Sequence, residues 1–358
     1  MIQKEIMLTD QIFTELIKAA SQAPSADNMQ PWEFRKNDDA IEVFCVKSRV
    51  LPTDVIGMFG WIAVGAAIQN IVIAAAFYRL VATIEYSTPK QTDELAAVIR
   101  FSPGSADFQL AEWISRRNTN RSPYEAYLLN QELISRLTNA VKGLNGGIHW
   151  TTRASDFELM ANMDANSTYI RLEHKPLHDE LFDILRFTRK DIEATRFGLT
   201  FESLEVPPFA VFFARQLQYW SVNRAISKLG FGRLVAKQLS NKLRKAGAIC
   251  LVTAERRDPV AYMEAGRAME QLWLAATAEG LSVQPYGVLP QYLTKVDIEP
   301  ETFLPKYVTA IKKHFDPFFS IFPEAKDEYP AIVLRLGKAG KYSARSDIRL
   351  NPEQIIRE

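Results

Sequence analysis

The sequence contains few of the residues on which disulfide scaffolds, metal sites and nucleic-acid-binding surfaces depend. It has two cysteines and four histidines in 358 residues, and 43 basic residues balance 42 acidic ones. Two cysteines cannot form a disulfide framework, and a net charge of +1 provides no field that would attract a nucleic acid. Cys45 and Cys250 each lie in an apolar run typical of a strand, which predicts buried thiols in a reducing compartment. We therefore expect no nucleic-acid partner.

The signatures of several common sites are also missing. His174 and His178 are four residues apart, but Pro176 between them argues against a shared helical face, so we predict no metal site. Gly230 and Gly232 lack the third glycine of a dinucleotide fingerprint, which leaves a Rossmann site for NAD unsupported. The sequence has neither a P-loop nor the nucleophile elbow of a Ser-His-Asp hydrolase.

The chain shows neither a leader peptide nor a clear membrane span. The first residues, MIQKEIMLTDQ, lack the apolar stretch and cleavage site of a signal peptide, so we expect a cytoplasmic protein. One long apolar run, 61–78, carries Gln69 and Asn70 at its centre and is followed directly by Arg79. We predict that this run is a core helix and not an integral membrane span. We expect the protein to be a monomer or a loose homodimer.

Three blocks of the sequence resemble three later blocks in the same order. In each pair of blocks, the small and apolar residues occupy corresponding positions. Because the offset grows along the chain, we infer that one unit was duplicated and that the second copy gained about 80 and then 34 residues. The matching blocks are 8–20 with 129–141 at an offset of 121, 65–80 with 266–281 at 201, and 97–101 with 332–336 at 235.

This duplication predicts an α+β fold in two related halves, residues 1–110 and 111–358, with an insertion in the second at about 160–245. The Ser-Pro-Gly-Ser stretch at 102–105 is a natural boundary between them. Apolar periodicity predicts a helix at about 8–21 and strands near 32–35, 40–46, 81–87, 96–101 and 147–152.

Arginines are concentrated in the segment RRNTNR near the start of the second half. Arg116, Arg117 and Arg121 lie within six residues there, with Thr119 between them. Guanidinium groups beside hydroxyls and amides suit a phosphate dianion, because arginine makes bidentate charged hydrogen bonds and keeps its proton. A basic surface turn is the alternative interpretation.

The first half contains APSADNMQPW where the second has only KGLNGGIHW. Ser25, Asn28 and Gln30 supply short polar groups, and Pro31 and Trp32 supply a stiff apolar floor. This combination suits the edge and face of a flat heterocycle, although it is also compatible with a turn that only ends a helix.

These segments resemble motifs of the nitroreductase-like FMN-dependent oxidoreductase superfamily, in its tandem, Acg-like branch. RRNTNR is similar to an Arg-x-Ser-x-Arg turn with threonine for serine, and residues 24–32 look like a Pro-Ser-x-x-Asn-x-Gln-Pro-Trp segment. GLSVQPYGV resembles the strand end that approaches the flavin N5, and YSARSDIRLNPEQII resembles the family's closing stretch. Together the motifs predict these cofactor-binding residues: Pro24, Ser25, Asn28, Gln30, Arg116, Arg117, Thr119, Arg121, Pro285, Tyr286, Gly287, Arg345 and Arg349.

The resemblance implies a three-layer α/β/α sandwich, internally duplicated as a pseudo-dimer. It also implies one FMN site, because each half has kept what the other has lost. Arg117 or Arg121 and Asn28 would act as donors near N1 and O2 of the flavin, with Arg345 and Arg349 as phosphate partners. The implied activity is an NAD(P)H-dependent reduction of a small, flat or electron-poor acceptor. The flavin carries the reaction, so no side chain is assigned as the catalytic residue.

The long insertion leaves two alternatives open. Segment 221–254 has seven basic residues and no acidic one, which is typical of a solvated helical face but also of a lid or a lipid-facing surface. A lid would favour a flavin-sequestering protein whose site is closed to substrates. A lipid-facing surface would favour a peripheral membrane or interaction protein that acts through the basic segment.

Overall fold

The computed structural model describes residues 8–87, 94–205, 208–340 and 348–358. The helices are α1 Asp10–Ser21, α2 Met58–Phe77, α3 Ala111–Ile114, α4 Gln131–Ala140, α5 Ala154–Glu173, α6 Lys175–Ile184, α7 Arg189–Thr195, α8 Pro208–Leu217, α9 Trp220–Ser227, α10 Phe231–Ser240, α11 Pro259–Ala278, α12 Val288–Ile298, α13 Pro305–Lys312 and α14 Phe315–Ile321. The strands are β1 Trp32–Asn37, β2 Ala40–Cys45, β3 Leu80–Tyr86, β4 Leu95–Pro103, β5 Gly147–Thr151, β6 Leu185–Arg186, β7 Leu199–Thr200, β8 Ala248–Ala254, β9 Ser282–Tyr286 and β10 Tyr329–Gly337.

Two four-stranded antiparallel sheets have the same topology. Their strand orders are β1-β2-β4-β3 and β5-β8-β10-β9, so the chain visits the positions of both sheets in the same sequence. In each sheet one helix precedes the first strand and a twenty-residue helix, α2 or α11, joins the second strand to the third. The predicted α+β fold built from a repeated unit is confirmed.

The repeat also extends to helix caps. The side chain of Thr9 accepts a hydrogen bond from the backbone N–H of Ile12 at the start of α1. At the same offset of 121 residues, Asn130 accepts from the N–H of Leu133 at the start of α4. Short polar side chains at this position satisfy N–H groups that have no partner within the helix. The offsets grow because α5 to α10 lie between β5 and β8, and α12 to α14 lie between β9 and β10.

Helices α2 and α11 cross in close contact at two glycines. A Cβ on Gly65 would lie 1.9 Å from the carbonyl oxygen of Met263, and one on Gly266 would lie 2.0 Å from that of Ile62. The pairs 62 with 263 and 65 with 266 share the offset of 201, so each contact is the other with the halves exchanged. Such reciprocity marks an approximate two-fold axis between the halves, as in a symmetric dimer interface.

The apolar helix α2 is a core helix. Val55–Phe77 is long and apolar enough to cross a membrane, but 83% of its most apolar window is buried inside the protein. Its two central amides have partners there: Gln69 donates to Gln271 of α11 at 2.9 Å, and Asn70 donates to the carbonyl of Ala19 at 3.2 Å. The apolar surface of α2 is therefore covered by the protein, and the side-chain amide N–H groups at its centre have hydrogen-bond acceptors there.

The helices are layered on the sheets. On the first sheet, α1 and α2 share one apolar core with the inward side chains of β2 and β4. The second sheet is covered on both faces, because α4 and α11 join that core while α5 and α12 to α14 form a second core on its other side. Cys45 and Cys250 are free and buried in the central strands β2 and β8, as predicted. Burial raises the pKa of the Cys45 thiol to about 12.

The glycine crossing predicts a large loss of stability on adding one methyl group. Gly65→Ala or Gly266→Ala should lower the free energy of unfolding by about 3 kcal/mol or more, because the new Cβ meets backbone atoms that cannot rotate away. This loss should exceed the gain of about 1 kcal/mol in helix propensity. Gly340→Ala is the control, since the nearest atom to its Cβ position is 3.3 Å away, at the end of the Glu125 side chain. Urea unfolding with equal stability for Gly65→Ala and the parent protein would contradict the crossing.

Candidate functional site

A cavity of about 710 Å³ lies between the two halves. Its floor comes from the crossed helices, with Phe59, Ile62 and Ala63 from α2 and Met269 and Trp273 from α11. Volume and apolar lining are those of a site for a cofactor or a small-molecule substrate. Because both halves supply its floor, the cavity depends on the α2–α11 crossing.

Arg117 fixes the arginine turn to the floor of this cavity. Its Nε lies 3.1 Å from the carboxylate of Glu270 on α11, and both side chains are almost fully buried. Nη2 donates to the carbonyl of Gln22 at 2.6 Å, and the guanidinium lies 4.5 Å from the centre of the Trp273 ring. Burial raises the pKa of Glu270, and the charge of Arg117 opposes that rise. Arg117 therefore holds the arginine turn against α11, and its bond to Gln22 connects this turn to the first half.

Arg121 presents a partly buried positive charge with few protein partners. Its Nη1 donates to the carbonyl of Ser203 at 2.6 Å, and its backbone N–H donates to Glu205 at 3.1 Å. Within the described part of the chain, no carboxylate lies in ion-pair distance of its guanidinium. Burial lowers the pKa of Arg121, while the charges of Asp27 and Glu205 raise it. A partly buried cation without a paired carboxylate is a suitable partner for an anionic ligand group.

The loop between α1 and β1 has a strained backbone. Asp27, Asn28 and Gln30 have φ angles of 48°, 58° and 51°, in the left-handed region that residues other than glycine rarely occupy. The hydroxyl of Ser25 accepts the backbone N–H of Gln30 at 3.0 Å and closes the loop. Strained backbone of this kind concentrates at ligand sites, where other contacts hold it in place.

Those contacts come from the end of the chain. The amide of Asn28 donates to the carbonyl of Ile348 at 3.2 Å and accepts from Nη1 of Arg349 at 2.7 Å. The Gln30 side chain accepts from the backbone N–H of Leu350 at 2.8 Å. Both amides therefore position Arg349 at the cavity, and the predicted direct contact of Asn28 with a flavin ring competes with these bonds.

The structure brings most of the predicted residues to the cavity, including Arg121 and Asn28. Arg116 is not among them, because its half-exposed side chain packs on Trp113 and pairs with Glu112 on the surface. Gln30 is fully buried behind the loop, and Arg345 lies outside the described residues. The predicted residues that line the cavity are Pro24, Ser25, Asn28, Arg117, Thr119, Arg121, Pro285, Tyr286, Gly287 and Arg349.

Sequence reasoning missed a polar stripe on α5. Asp164, Thr168 and Arg171 all line the cavity and are spaced four and three residues apart, which places them on one helical face. Arg171 pairs with Asp27 of the strained loop at 2.9 Å, so the stripe also supports the loop. The spacing was visible in the sequence, but this face becomes a cavity wall only through the insertion's packing. Lys242 also lines the cavity, and burial lowers its pKa.

Asp164 is a buried acid at the cavity wall. Burial raises its pKa to about 6, and the hydrogen bond that the Ser240 hydroxyl donates at 2.6 Å works in the opposite direction. The carboxyl group is therefore neutral under mildly acidic conditions in the folded protein.

The inserted helices form the apolar side of the cavity. Leucine, phenylalanine and valine side chains predominate on the walls supplied by α6, α8, α10 and the short strand β7. The arginines and the strained loop lie on the polar side. These apolar wall residues are Leu177, Leu181, Phe182, Leu199, Phe201, Phe213, Leu217, Phe231, Val235 and Leu239.

The position related to this cavity by the internal two-fold axis has different chemistry. The offset of 201 places Glu264 where the cavity has Ala63, and Glu264 accepts a hydrogen bond from Asn145 at 2.7 Å. Arg267 donates to Gln69 at 2.9 Å and to the Tyr86 hydroxyl at 3.2 Å in the same region. Polar side chains bonded to one another replace the small residue of the cavity floor, so the halves are not equivalent as sites.

Comparison with known proteins identifies relatives for part or most of the chain. A family model described as "Nitroreductase family" matches residues 202–303. The chain is 21% identical over 323 residues to "Uncharacterized protein MT1398" of Mycobacterium tuberculosis (strain CDC 1551 / Oshkosh), which covers 89% of this chain and 44% of that protein. It is 32% identical over 128 residues to "Putative NAD(P)H nitroreductase acg" of M. tuberculosis (strain ATCC 25618 / H37Rv), covering 34% and 38%. The matched part thus spans less than half of each curated relative.

Solved structures give similarities of low score. An FMN-bound nitroreductase from Desulfitobacterium hafniense DCB-2 aligns with 15% identity and a TM-score of 0.36, over 66% of this chain and 92% of that one. The FMN-dependent nitroreductase NfnB from Mycobacterium smegmatis, in complex with NADPH, gives 15% identity and 0.36 over 66% and 94%.

The raised pKa of Asp164 predicts a pH dependence of stability. Between its ordinary value of 3.8 and about 6, the folded protein holds a proton that the unfolded chain has lost, so the free energy of unfolding should fall as pH rises through this range. Asp164→Asn should remove this part of the fall. Ser240→Ala should move its upper limit to higher pH, because the bond that lowers the pKa is lost. The free energy of unfolding is measured by urea unfolding at several pH values. An equal dependence on pH in the parent protein, Asp164→Asn and Ser240→Ala would contradict the raised pKa of Asp164.

Proposed function

Because a nitroreductase family model matches residues 202–303 and a nitroreductase relative is 32% identical over 128 residues, we propose that this chain belongs to the nitroreductase-like superfamily, binds one FMN in the cavity between its halves and acts as an FMN-dependent oxidoreductase. We take the halves to be 1–110 and 111–358, as the sequence predicts. The observation that carries the proposal is the meeting of three chain segments at one cavity: the loop at 24–28, the arginine turn at 117–121 and the end of β9.

The residues present fit the chemistry of a flavin nucleotide. Arg121 offers a partly buried positive charge that pairs with no carboxylate among the described residues, which suits the dianionic phosphate. Arg349, held by Asn28, adds a second guanidinium at the cavity. Gly287 follows β9 directly, and a Cβ there would lie 2.6 Å from the Phe59 ring, so this part of the wall stays low and close to the floor. A flat ring system is compatible with such a wall.

The chemistry of the bound FMN would be hydride transfer, with NAD(P)H as donor and an electron-poor acceptor. The protein's part is to bind, orient and exclude water. Guanidinium groups stabilise negative charge at the cavity, and their effect is larger because burial keeps water away. The neutral form of Asp164 below about pH 6 offers an O–H donor on the same wall.

The apolar side of the cavity supports a small, flat acceptor. Its leucine and phenylalanine side chains supply a surface for stacking and burial but few hydrogen-bonding groups that would select one substrate. The name of the M. tuberculosis relative, an NAD(P)H nitroreductase, agrees with a nicotinamide donor. Acceptor and donor remain proposals for this chain.

A second candidate function is flavin sequestration. The inserted helices α6, α8 and α10 form one wall of the cavity, so they lie where substrate would enter. If these helices keep the cavity closed, the protein would store FMN and reduce no substrate. Anaerobic mixing with NADPH or NADH distinguishes the two functions, because an oxidoreductase bleaches its flavin absorbance within seconds and a store does not.

Arg121 should be important for FMN affinity. Arg121→Ala should weaken FMN binding about 30-fold or more, equal to about 2 kcal/mol, because a charged contact with the phosphate is lost. Arg116→Ala is the matched control, since Arg116 lies on the surface outside the cavity. Fluorescence titration of FMN measures both, and thermal unfolding of the apoproteins shows whether Arg121→Ala is folded. Equal affinity for a folded Arg121→Ala would remove this residue from the site.

The difference between the halves predicts one FMN per chain. The visible absorbance of the saturated protein, compared with its peptide concentration, should give a ratio close to one, because the related position carries the hydrogen-bonded polar residues Glu264 and Arg267 in place of a small floor residue. Two flavins per chain would contradict the loss of the second site, and none would contradict the proposed function.

A further inference from the structure

The outer surface of α8, α9 and α10 combines exposed apolar side chains with uncompensated positive charge. Among the described residues, half of the large apolar side chains that are exposed lie between 212 and 239. Leu229 is 86% exposed and Leu234 is 64% exposed, although each could have been polar at no cost to the core. Leucines in such positions are unfavourable in water and indicate a surface that contacts something apolar.

The same surface carries basic residues only. No aspartate or glutamate occurs between Glu205 and Glu255, while eight lysines and arginines do. Within the described residues only one of the eight, Arg244, forms an ion pair. On α10, Arg233, Leu234 and Lys237 are all exposed, with the two basic residues next to each other on one side of the leucine. Apolar and cationic groups therefore adjoin on the exposed part of this helix, which is typical of helices that lie in a membrane interface.

The exposed apolar residues reach the rim of the cavity. Phe213 of α8 is 54% exposed and Leu239 of α10 is 41% exposed, and both also line the cavity. Phe212 next to Phe213 is 66% exposed. The mouth of the cavity is therefore bordered by apolar side chains, and the surface that surrounds it is the basic one.

We propose that the face formed by α8 to α10 docks the protein on an anionic lipid bilayer, with the mouth of the cavity toward the lipid. Leu229, Leu234 and Phe212 would enter the acyl boundary while Arg233 and Lys237 contact lipid phosphates. A second copy of the same face is a poor occupant, because five or more like charges would oppose each other across a two-fold axis. A nucleic acid would satisfy the cations but not the exposed leucines.

Vesicle co-sedimentation tests the docking. The protein should bind vesicles of equal parts phosphatidylglycerol and phosphatidylcholine at about 0.1 M salt, and should not bind pure phosphatidylcholine. Lys228→Glu/Arg233→Glu/Lys237→Glu should weaken binding about a hundredfold, because each cation near an anionic surface contributes about a factor of five. The matched control is Lys312→Glu/Lys313→Glu/Lys326→Glu, which makes the same charge change at exposed lysines of another surface.

The apolar half of the proposal has its own variant. Leu229→Ser/Leu234→Ser keeps every charge. It should weaken vesicle binding about tenfold or more, since two side chains that would be buried in the acyl boundary are lost. The proposal would be overturned by any of three results. These are unchanged binding of this variant, equal losses of binding in both charge variants, and no binding of the parent protein to the anionic vesicles. A dimer in the absence of lipid that Leu229→Ser/Leu234→Ser dissociates would overturn it in favour of a second copy.

Site-specific fluorescence shows the orientation. Both native cysteines are buried, so a single introduced thiol takes up an environment-sensitive label selectively. The emission maximum of the label on Leu229→Cys should shift to the blue on anionic vesicles. The emission maximum of the label on Leu304→Cys, at an exposed leucine of another surface, should not shift. A shift at position 304 alone would place the wrong face on the lipid. FMN absorbance of the same samples reports the proposed function separately, so failure of either leaves the other measurable.

Discussion

The close crossing of α2 and α11 is the constraint on which the remaining structure depends. Gly65 and Gly266 let the two backbones approach to a distance that no side chain permits, and they do so reciprocally. This approach sets the halves around an approximate two-fold axis and aligns Ala63 with Trp273 on one cavity floor. The buried pair of Arg117 with Glu270 then fixes the arginine turn to α11 beside this floor. A wider crossing would separate the two sides of the site.

Equal halves have become unequal sites through local changes on this common frame. The first half keeps a strained loop, and the strain of Asn28 is compensated by hydrogen bonds with Ile348 and Arg349 of the second half. The second half adds α5 to α10, which close one wall with apolar side chains and the Asp164 stripe. At the related position, Glu264 stands in place of Ala63 and accepts a hydrogen bond from Asn145. Duplication explains why the two halves share one fold, and insertion and substitution explain why the two related positions differ in chemistry.

Sequence patterns predicted the repeated parts better than the inserted ones. The strands and the long helices were visible because apolar periodicity and capping residues are local signals, and both copies repeated them. Arg116 and Arg121 could not be distinguished, because only tertiary packing turns one outward onto Trp113 and the other inward to Ser203. The contribution of Arg171 depends on how α5 packs, which no short-range pattern reveals.

A crystal structure of the protein grown with FMN tests the central claim most directly, because the claim concerns where one ligand meets both halves. The account predicts a single FMN, with its phosphate in hydrogen-bonding distance of Arg121 and its ring between the loop at 24–28 and residues 285–287. An FMN bound beside Tyr86 and Arg267, or on any surface away from the α2–α11 crossing, would contradict it.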